Sequence, residues 1–366
     1  MANDEIKVTF ETITPLYTGD AWQEFKEIRP SSLIGSLRFW FEVICYFGGI
    51  CSESDFDKKK GRFEKDIKND EIKKKLSEYG TDFWGQIEAL KELKIPLPAI
   101  IFGTTGWKSL IEIKKINTQD SQNNTNNYPL PIDRVEFKEL KYKKDKKNKE
   151  DKKYRKDTKD TEITPVWYFK KGFWGKFEVI FKVPEEIKET IFFPLLNFMD
   201  KYGYWGGSWN IGYGRLKVSS VNSSENGWQK DKFDFSKFGK NENICIKYND
   251  NQECKNGLIK YIKHNTDLKK RDLEIKYWKY DKRDSSIENT LKNLIIKKSN
   301  LRRNLNDQKE RHYVFGKTGN IPEEDLPQGS KILPYINRLD KSTYECGLLS
   351  IVGILNLYQE PKNGQQ

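Results

Sequence analysis

From Ile6 to Ile13 the chain alternates. Ile6, Val8 and Phe10 point one way, and Lys7, Thr9 and Glu11 point the other. A period of two predicts a half-buried strand. After "TPLYTGD", read as a loop, "RPSSLIGSLRFWFEVICYF" changes to helical spacing. Leu33, Leu37, Trp40 or Phe41, Ile44 and Phe47 fall on one apolar stripe. Ser31 or Ser32, directly after Pro30, is the expected cap.

The pattern then becomes charged and helical from Ser54 to Leu93, an insertion or small subdomain. "PAIIFGTTGWKSLIEIKKI" predicts two short strands around a glycine turn. Phe177, Val179, Phe181 and Val183 recur at every second position, with the charges Glu178 and Lys182 among the residues between them, which predicts another strand. "PEEIKETIFFPLLNFMDKYG" opens on Pro184 and two acids, as helix first turns do, and closes at Gly203. "GRLKVSSV" predicts a last strand. The order is β-α-β-β-α-β, the split βαβ arrangement of a ferredoxin-like domain.

A second α+β unit is expected after residue 222. "NICIKY" reads as a strand, followed by lysine-rich helical stretches over about Glu253–Tyr280 and Ser286–Asn306. "RHYVFGKTG", "ILPYINRL" and "YECGLLSIVGIL" read as strands. The expected division is 1–222, with insertions at about 54–95 and 117–161, and 223–366.

Composition adjusts this picture. The 366 residues are 36% hydrophobic but 13% aromatic, with 10 tryptophans. Disordered chains are poor in aromatics, so this one folds. Net charge is +12 and the pI is about 9.1, compatible with nucleic acid, an acidic membrane face, or merely a lysine-rich surface. Lys138–Asp160 holds 12 Lys/Arg against 6 Asp/Glu, half of the net charge in 23 residues. It is expected to be a solvated, mobile loop rather than an RNA-gripping arm. Five cysteines without a CxxC pair and only two histidines argue against a metal site. No cofactor is expected. Free thiols and an N-terminus without an apolar core point to a cytoplasmic protein with no membrane partner.

The densest candidate chemistry is "KYGYWGGSWNIGYGRLKV", Lys201–Val218. It is not a Walker A loop, because Gly-Arg-Leu stands where Gly-Lys-Ser/Thr is needed. It is not a Rossmann loop either, because it runs from helix to strand rather than from strand to helix. What remains is a run of glycine amides, Gly206, Gly207, Gly212 and Gly214, able to form an anion nest. Trp205, Trp209 and Tyr213 could stack on bases, Ser208 and Asn210 flank Trp209, and Arg215 could reach a phosphate. The competing reading is that the glycines make a tight connection and the aromatics are core. Trp205 is open between the two, whereas Trp209 is expected to be exposed. A second constellation is the helix start: amides at Ser31 and Ser32, with Arg29 before them and Arg38 off the apolar stripe. Arg38 could instead pair with Glu42 one turn on.

These residues resemble the RAMP superfamily of CRISPR effector proteins, and more narrowly the family of first subunits of the type III-B Cmr complex. The resemblance rests on Ser31, Ser32, Leu33, Gly35, Leu37 and Arg38; on Phe102, Gly103 and Thr104; and on Gly206, Gly207, Gly212 and Gly214. It implies two ferredoxin-like (RRM-like) RAMP domains. It also implies a place in a hetero-oligomer with other Cmr-type subunits, distal to the guide's 5′ tag. There the family holds the 3′ part of the guide RNA and engages target RNA, while a neighbouring subunit cleaves. The resemblance therefore implies a structural, non-catalytic role.

Two other classes stay open. A metal-free endoribonuclease would need a positioned acid and base. Asp20 lies where RNA-cleaving RAMP relatives carry a catalytic acid, in a short loop that also holds Glu24 and Glu27; His264 and His312 are lone histidines. A stand-alone single-stranded RNA-binding protein is the third class.

Overall fold

A computed structural model describes residues 3–19, 25–57, 59–118, 127–128, 135–142, 161–166, 172–222, 228, 232–239, 278–280, 287–303, 315, 332–338 and 344–350. Strand β1 (Asn3–Thr12) leads into helix α1 (Pro30–Phe47). An insertion follows: a two-residue ladder pairing Phe56–Asp57 with Arg62–Phe63, then α2 (Asn69–Tyr79) and α3 (Phe83–Glu92). Next come α4 (Leu97–Phe102) and strand β2 (Glu112–Thr118). Within 117–161, Val135–Tyr142 pairs with Thr161–Val166, so the lysine run begins in a strand. Its remaining residues lie outside the described ones. Strand β3 (Lys176–Pro184), α5 (Phe193–Lys201) and β4 (Leu216–Asn222) complete this half.

The sheet order is β4-β1-β3-β2 with every pairing antiparallel, which is the ferredoxin order. The period-two reading explains it: Ile6, Val8 and Phe10 on β1 and Phe177, Val179, Phe181 and Val183 on β3 all have zero exposure. Phe10 stacks on Phe177 at 5.3 Å and meets Trp205 edge-on at 5.1 Å. Trp40 of α1 packs on Phe198 of α5.

Proline shapes the second helix. Pro194 has no N–H to give to the Thr190 carbonyl four residues back. The preceding turn widens to a π-helix over Lys188–Phe192, and the Asp234 N–H takes the Thr190 carbonyl at 3.1 Å. This return of the chain sets Phe233 and Phe235 against Phe41.

Three expectations are corrected. The first turn of α1 is capped by neither Ser31 nor Ser32. Arg29 is the N-cap, without a side-chain cap, and Pro30 supplies the preset first turn. The apolar run before Gly103 is a helix, not a strand, because Pro98 suits a helix start and Leu97–Phe102 is buried all round. Trp278–Tyr280 is a strand, not the end of a helix.

In the C-terminal half, β5 (Trp278–Tyr280), β7 (Tyr344–Ser350) and β6 (Ile332–Arg338) form an antiparallel sheet with β7 central. Helix α6 (Ile287–Arg303) packs its Leu291, Leu294 and Ile295 into a cluster with Ile336 and Cys346. "NICIKY" and nearly all of "RHYVFGKTG" lie outside the described residues.

Candidate nucleic-acid interface

The chain from Ile13 to Tyr17 runs along the glycine-rich loop and is pinned to it by backbone. The Arg215 carbonyl accepts from Ile13 and Thr14, the Pro15 carbonyl from Gly214 (2.8 Å), and the Tyr17 carbonyl from Gly207 (2.7 Å). Two glycines are demanded by this closeness. A Cβ on Gly206 (φ 70°) would stand 2.3 Å from the Tyr17 carbonyl oxygen, and one on Gly214 (φ 86°) would stand 2.0 Å from that of Trp205. The loop is also tied to α1. Gly206 N–H donates to Ser36 Oγ (2.9 Å), which itself donates to the Ser32 carbonyl, and Trp40 Nε1 donates to the Tyr204 carbonyl.

The Phe-Gly-Thr turn joins the same place. Arg38 Nη1 donates to the Gly103 carbonyl at 2.9 Å. Three segments far apart in sequence thus meet on one face of α1. Above them opens a groove of about 510 Å³, lined by Tyr17, Thr18, Gly19, Ser32, Gly35, Ser36, Arg38, Phe39, Glu42, Gly61, Arg62, Gly206, Gly207 and Trp209. That size falls within the range of ligand pockets.

Of the residues expected to contact RNA, the groove gathers Ser32, Arg38, Gly206, Gly207 and Trp209. The rest stand elsewhere. Arg29 caps α1, its N–H donating to Thr18 Oγ1. Ser31 is exposed before the groove, and Asn210 is exposed with its carbonyl held by Lys298 of α6 (3.0 Å). Ser208 adopts left-handed backbone, φ 61°.

Five expectations are corrected here. Arg38 is 8% exposed and holds Glu42 (2.8 Å), Glu64 (2.7 Å) and Gly103, so its charge is not free for phosphate. Arg215 is fully buried. It donates to the carbonyls of Ile336, Gly203, Asp200 and Lys201, and lies between the rings of Tyr204 and Tyr335 at 5.3 and 5.0 Å. Trp205 and Tyr213 are core residues, 1% and 0% exposed, and cannot stack on bases. The glycine amides do not form an anion nest. Those of Gly206, Gly207, Gly212 and Gly214 all donate within the protein. At the helix start, the Ser32 amide likewise donates to the Arg29 carbonyl.

Trp209 is intermediate rather than exposed. It packs on Phe39 (5.1 Å) and Trp40 (5.9 Å), its Nε1 donates to the Trp205 carbonyl, and it still lines the groove. Asp20, Glu24, His264 and His312 lie outside the described residues.

Sequence reading missed Arg62 and treated Gly35 only as part of a motif. Arg62 is exposed, lines the groove and has no hydrogen bond or ion pair through its side chain among the described residues. Gly35 is exposed in the middle of α1, and nothing lies within 4 Å of where its Cβ would stand. Glu42, 3% exposed, is also part of the lining. Burial pushes its carboxyl up to about 7, against the pull of Arg38.

The open face of the four-stranded sheet is a different surface. Lys7 pairs with Glu178 (3.4 Å), Asn117 donates to Glu178, and Arg338 grips Glu11 through two bonds of 2.8 and 2.9 Å. The aromatics of the four strands, Phe10, Phe177 and Phe181, are all buried. The stacking platform of an RRM-type sheet is therefore absent from the described strands.

Fold and site together define a ferredoxin-like α+β protein whose motif residues converge on a groove between the first helix and a glycine-rich loop. The chain belongs to the RAMP superfamily, whose family model matches residues 9–217. Among solved structures, the chain is similar to Cmr1 from Pyrococcus furiosus in its apo form. Identity is 14%, TM-score 0.39, over 94% of this chain and 88% of that one. It is also similar to chains of the type III-B Cmr-beta complex. One comes from the complex bound to cognate target RNA (17% identity, TM-score 0.27, 60% of each chain). The other comes from the complex with target RNA and AMPPnP in the presence of single-stranded DNA (11% identity, TM-score 0.41, 98% of each chain). No curated protein matches the sequence. Among the described residues, no helix is long and apolar enough to cross a membrane, and no cluster of three or more His, Cys, Asp or Glu could hold a metal.

Proposed function

We propose that the protein is an RNA-binding structural subunit of a type III-B CRISPR (Cmr) ribonucleoprotein, holding the 3′ part of the guide RNA and helping to capture target RNA in antiviral defence. Membership of the RAMP superfamily and the first-subunit pattern of its three motifs support this reading. The net charge of +12 suits a polyanionic partner.

Gly35 is the observation that carries the RNA assignment. An exposed glycine in a helix interior costs about 1 kcal/mol against alanine. No neighbour would obstruct a side chain there, so packing does not call for glycine. The bare backbone faces a groove, where it permits a ligand to approach closely. With Phe39 and Trp209 in the lining, the groove offers rings for a base and open backbone for a sugar-phosphate chain.

The direct test is purification from the source cell, followed by sequencing of bound RNA and identification of co-purifying proteins. The reading expects CRISPR guide RNA together with other Cmr-type subunits. RNA without such partners would favour a stand-alone binder, and neither RNA nor partners would overturn the assignment.

A further inference from the structure

We propose that the hairpin inserted after α1, which pairs Phe56–Asp57 with Arg62–Phe63, walls the groove through Gly61 and Arg62, and that Arg62 is its phosphate-contacting side chain. This rests on the RNA reading above and names the charge that reading otherwise lacks. Among the described residues, two cations line the groove, Arg38 and Arg62. Arg38 is held by two carboxylates and a carbonyl. Arg62 has no such partner among the described residues and is exposed.

The hairpin is mounted firmly enough to aim that charge. Phe56 and Phe63 are buried, 5.1 Å apart edge to face, and Phe63 stacks on Tyr46 of α1 at 5.9 Å. Beyond it, Glu64 takes Arg38 of α1 and Lys60 of the hairpin turn (3.0 Å). Lys60 also bonds Asp66. A tight turn joins Arg62 to Glu64, whose N–H donates to the Arg62 carbonyl at 3.1 Å. Glu64 meets α1 at Arg38, so Arg62 stands beside the polar side of α1, where Glu42 feels its charge. The turn is closed locally by Asp57, whose side chain accepts from the amides of Lys59 and Lys60 and whose carbonyl accepts from Gly61.

Arg38 is then a positioning residue. Its guanidinium ties α1 to both the hairpin and the Phe-Gly-Thr turn. The buried pair of carboxylates around it keeps it off the ligand and leaves phosphate recognition to Arg62.

The test is fluorescence anisotropy with a short labelled oligouridine and the full chain, titrated from low to physiological salt. Arg62→Gln is expected to weaken binding about tenfold, the worth of one charge-assisted hydrogen bond. The slope of log affinity against log salt should fall by about 0.7, the value of one phosphate contact on a single strand. Arg62→Lys should restore the slope but only part of the affinity. Arg62 is exposed, so both variants should melt like the parent. Parental affinity and slope in Arg62→Gln would overturn the inference while leaving RNA binding intact. A parent chain that binds no oligouridine at any salt would overturn the RNA reading, and the inference with it.

Discussion

The two halves of the glycine-rich loop share a composition and do opposite work. The later half, Gly212–Arg215, is locked to the C-terminal sheet. A Cβ on Gly212 would meet Leu291 and Pro334, Tyr213 is buried, and Arg215 bridges to the Ile336 carbonyl. The earlier half, Gly206–Trp209, keeps a surface in the groove while its backbone is tied to α1 and Tyr17. A residue type therefore does not reveal its role here; the neighbouring element does. The buried arginine is a rivet between sheets, and the half-buried tryptophan is a groove wall.

Substitutions should separate the halves. The largest effect is expected for Arg215→Ala, which leaves several buried carbonyls without their donor. We expect a loss of about 3–5 kcal/mol in urea unfolding, with faster hydrogen exchange in β6. Any loss of RNA affinity should follow the unfolded fraction only. Trp209→Ala should do the reverse. Oligouridine affinity should drop by about 2–3 kcal/mol in anisotropy, from lost stacking, with a smaller loss of thermal stability. Equal losses of stability in both variants would erase the distinction between the halves.

Glu42 provides a pH handle on the front half. Its folded carboxyl titrates at about 7, above the ordinary 4.5, so the native state holds the extra proton between those values. Stability should therefore be greatest below pH 4.5 as far as this group is concerned, fall as pH rises toward 7, and level off above it. The fall should be on the order of 3 kcal/mol in melting experiments. Glu42→Gln should remove that segment of the profile, and an unchanged profile would show that Arg38 keeps Glu42 ionised. The smallest effect is at Gly35. Alanine there should stabilise the fold by up to about 1 kcal/mol yet weaken RNA binding, a split that a purely structural glycine would not show.

Much of the first half was legible from pattern alone. The alternation at Ile6–Phe10 and Phe177–Val183 and the stripe of α1 marked the buried faces, and the split βαβ order followed. Leu97–Phe102 misled because a short apolar run has no period to separate helix from strand. The roles of the arginines were hidden for a different reason. Arg38 is fixed by Glu64, 26 residues away, and Arg215 by Ile336, 121 residues away. The helical spacing offered the Arg38–Glu42 pair, which the structure contains, but no local pattern reports the distant partners that complete the burial of both arginines. Arg62 was overlooked because a lone arginine in a charged insertion reads as solvated surface. The packing of Phe63 on Tyr46 and the ion pair of Glu64 with Arg38 bring it to the groove.

The central claim is that RNA lies in the groove on α1 and not across the open sheet. Photo-crosslinking with 4-thiouridine-containing RNA, followed by peptide mass spectrometry, tests it most directly. The account predicts crosslinks to the peptides holding Tyr17, Phe39 and Trp209, lost on Trp209→Ala or reduced on Arg62→Gln. Crosslinks confined to the outward residues of β1 and β3, around Lys7 and Lys182, would contradict it.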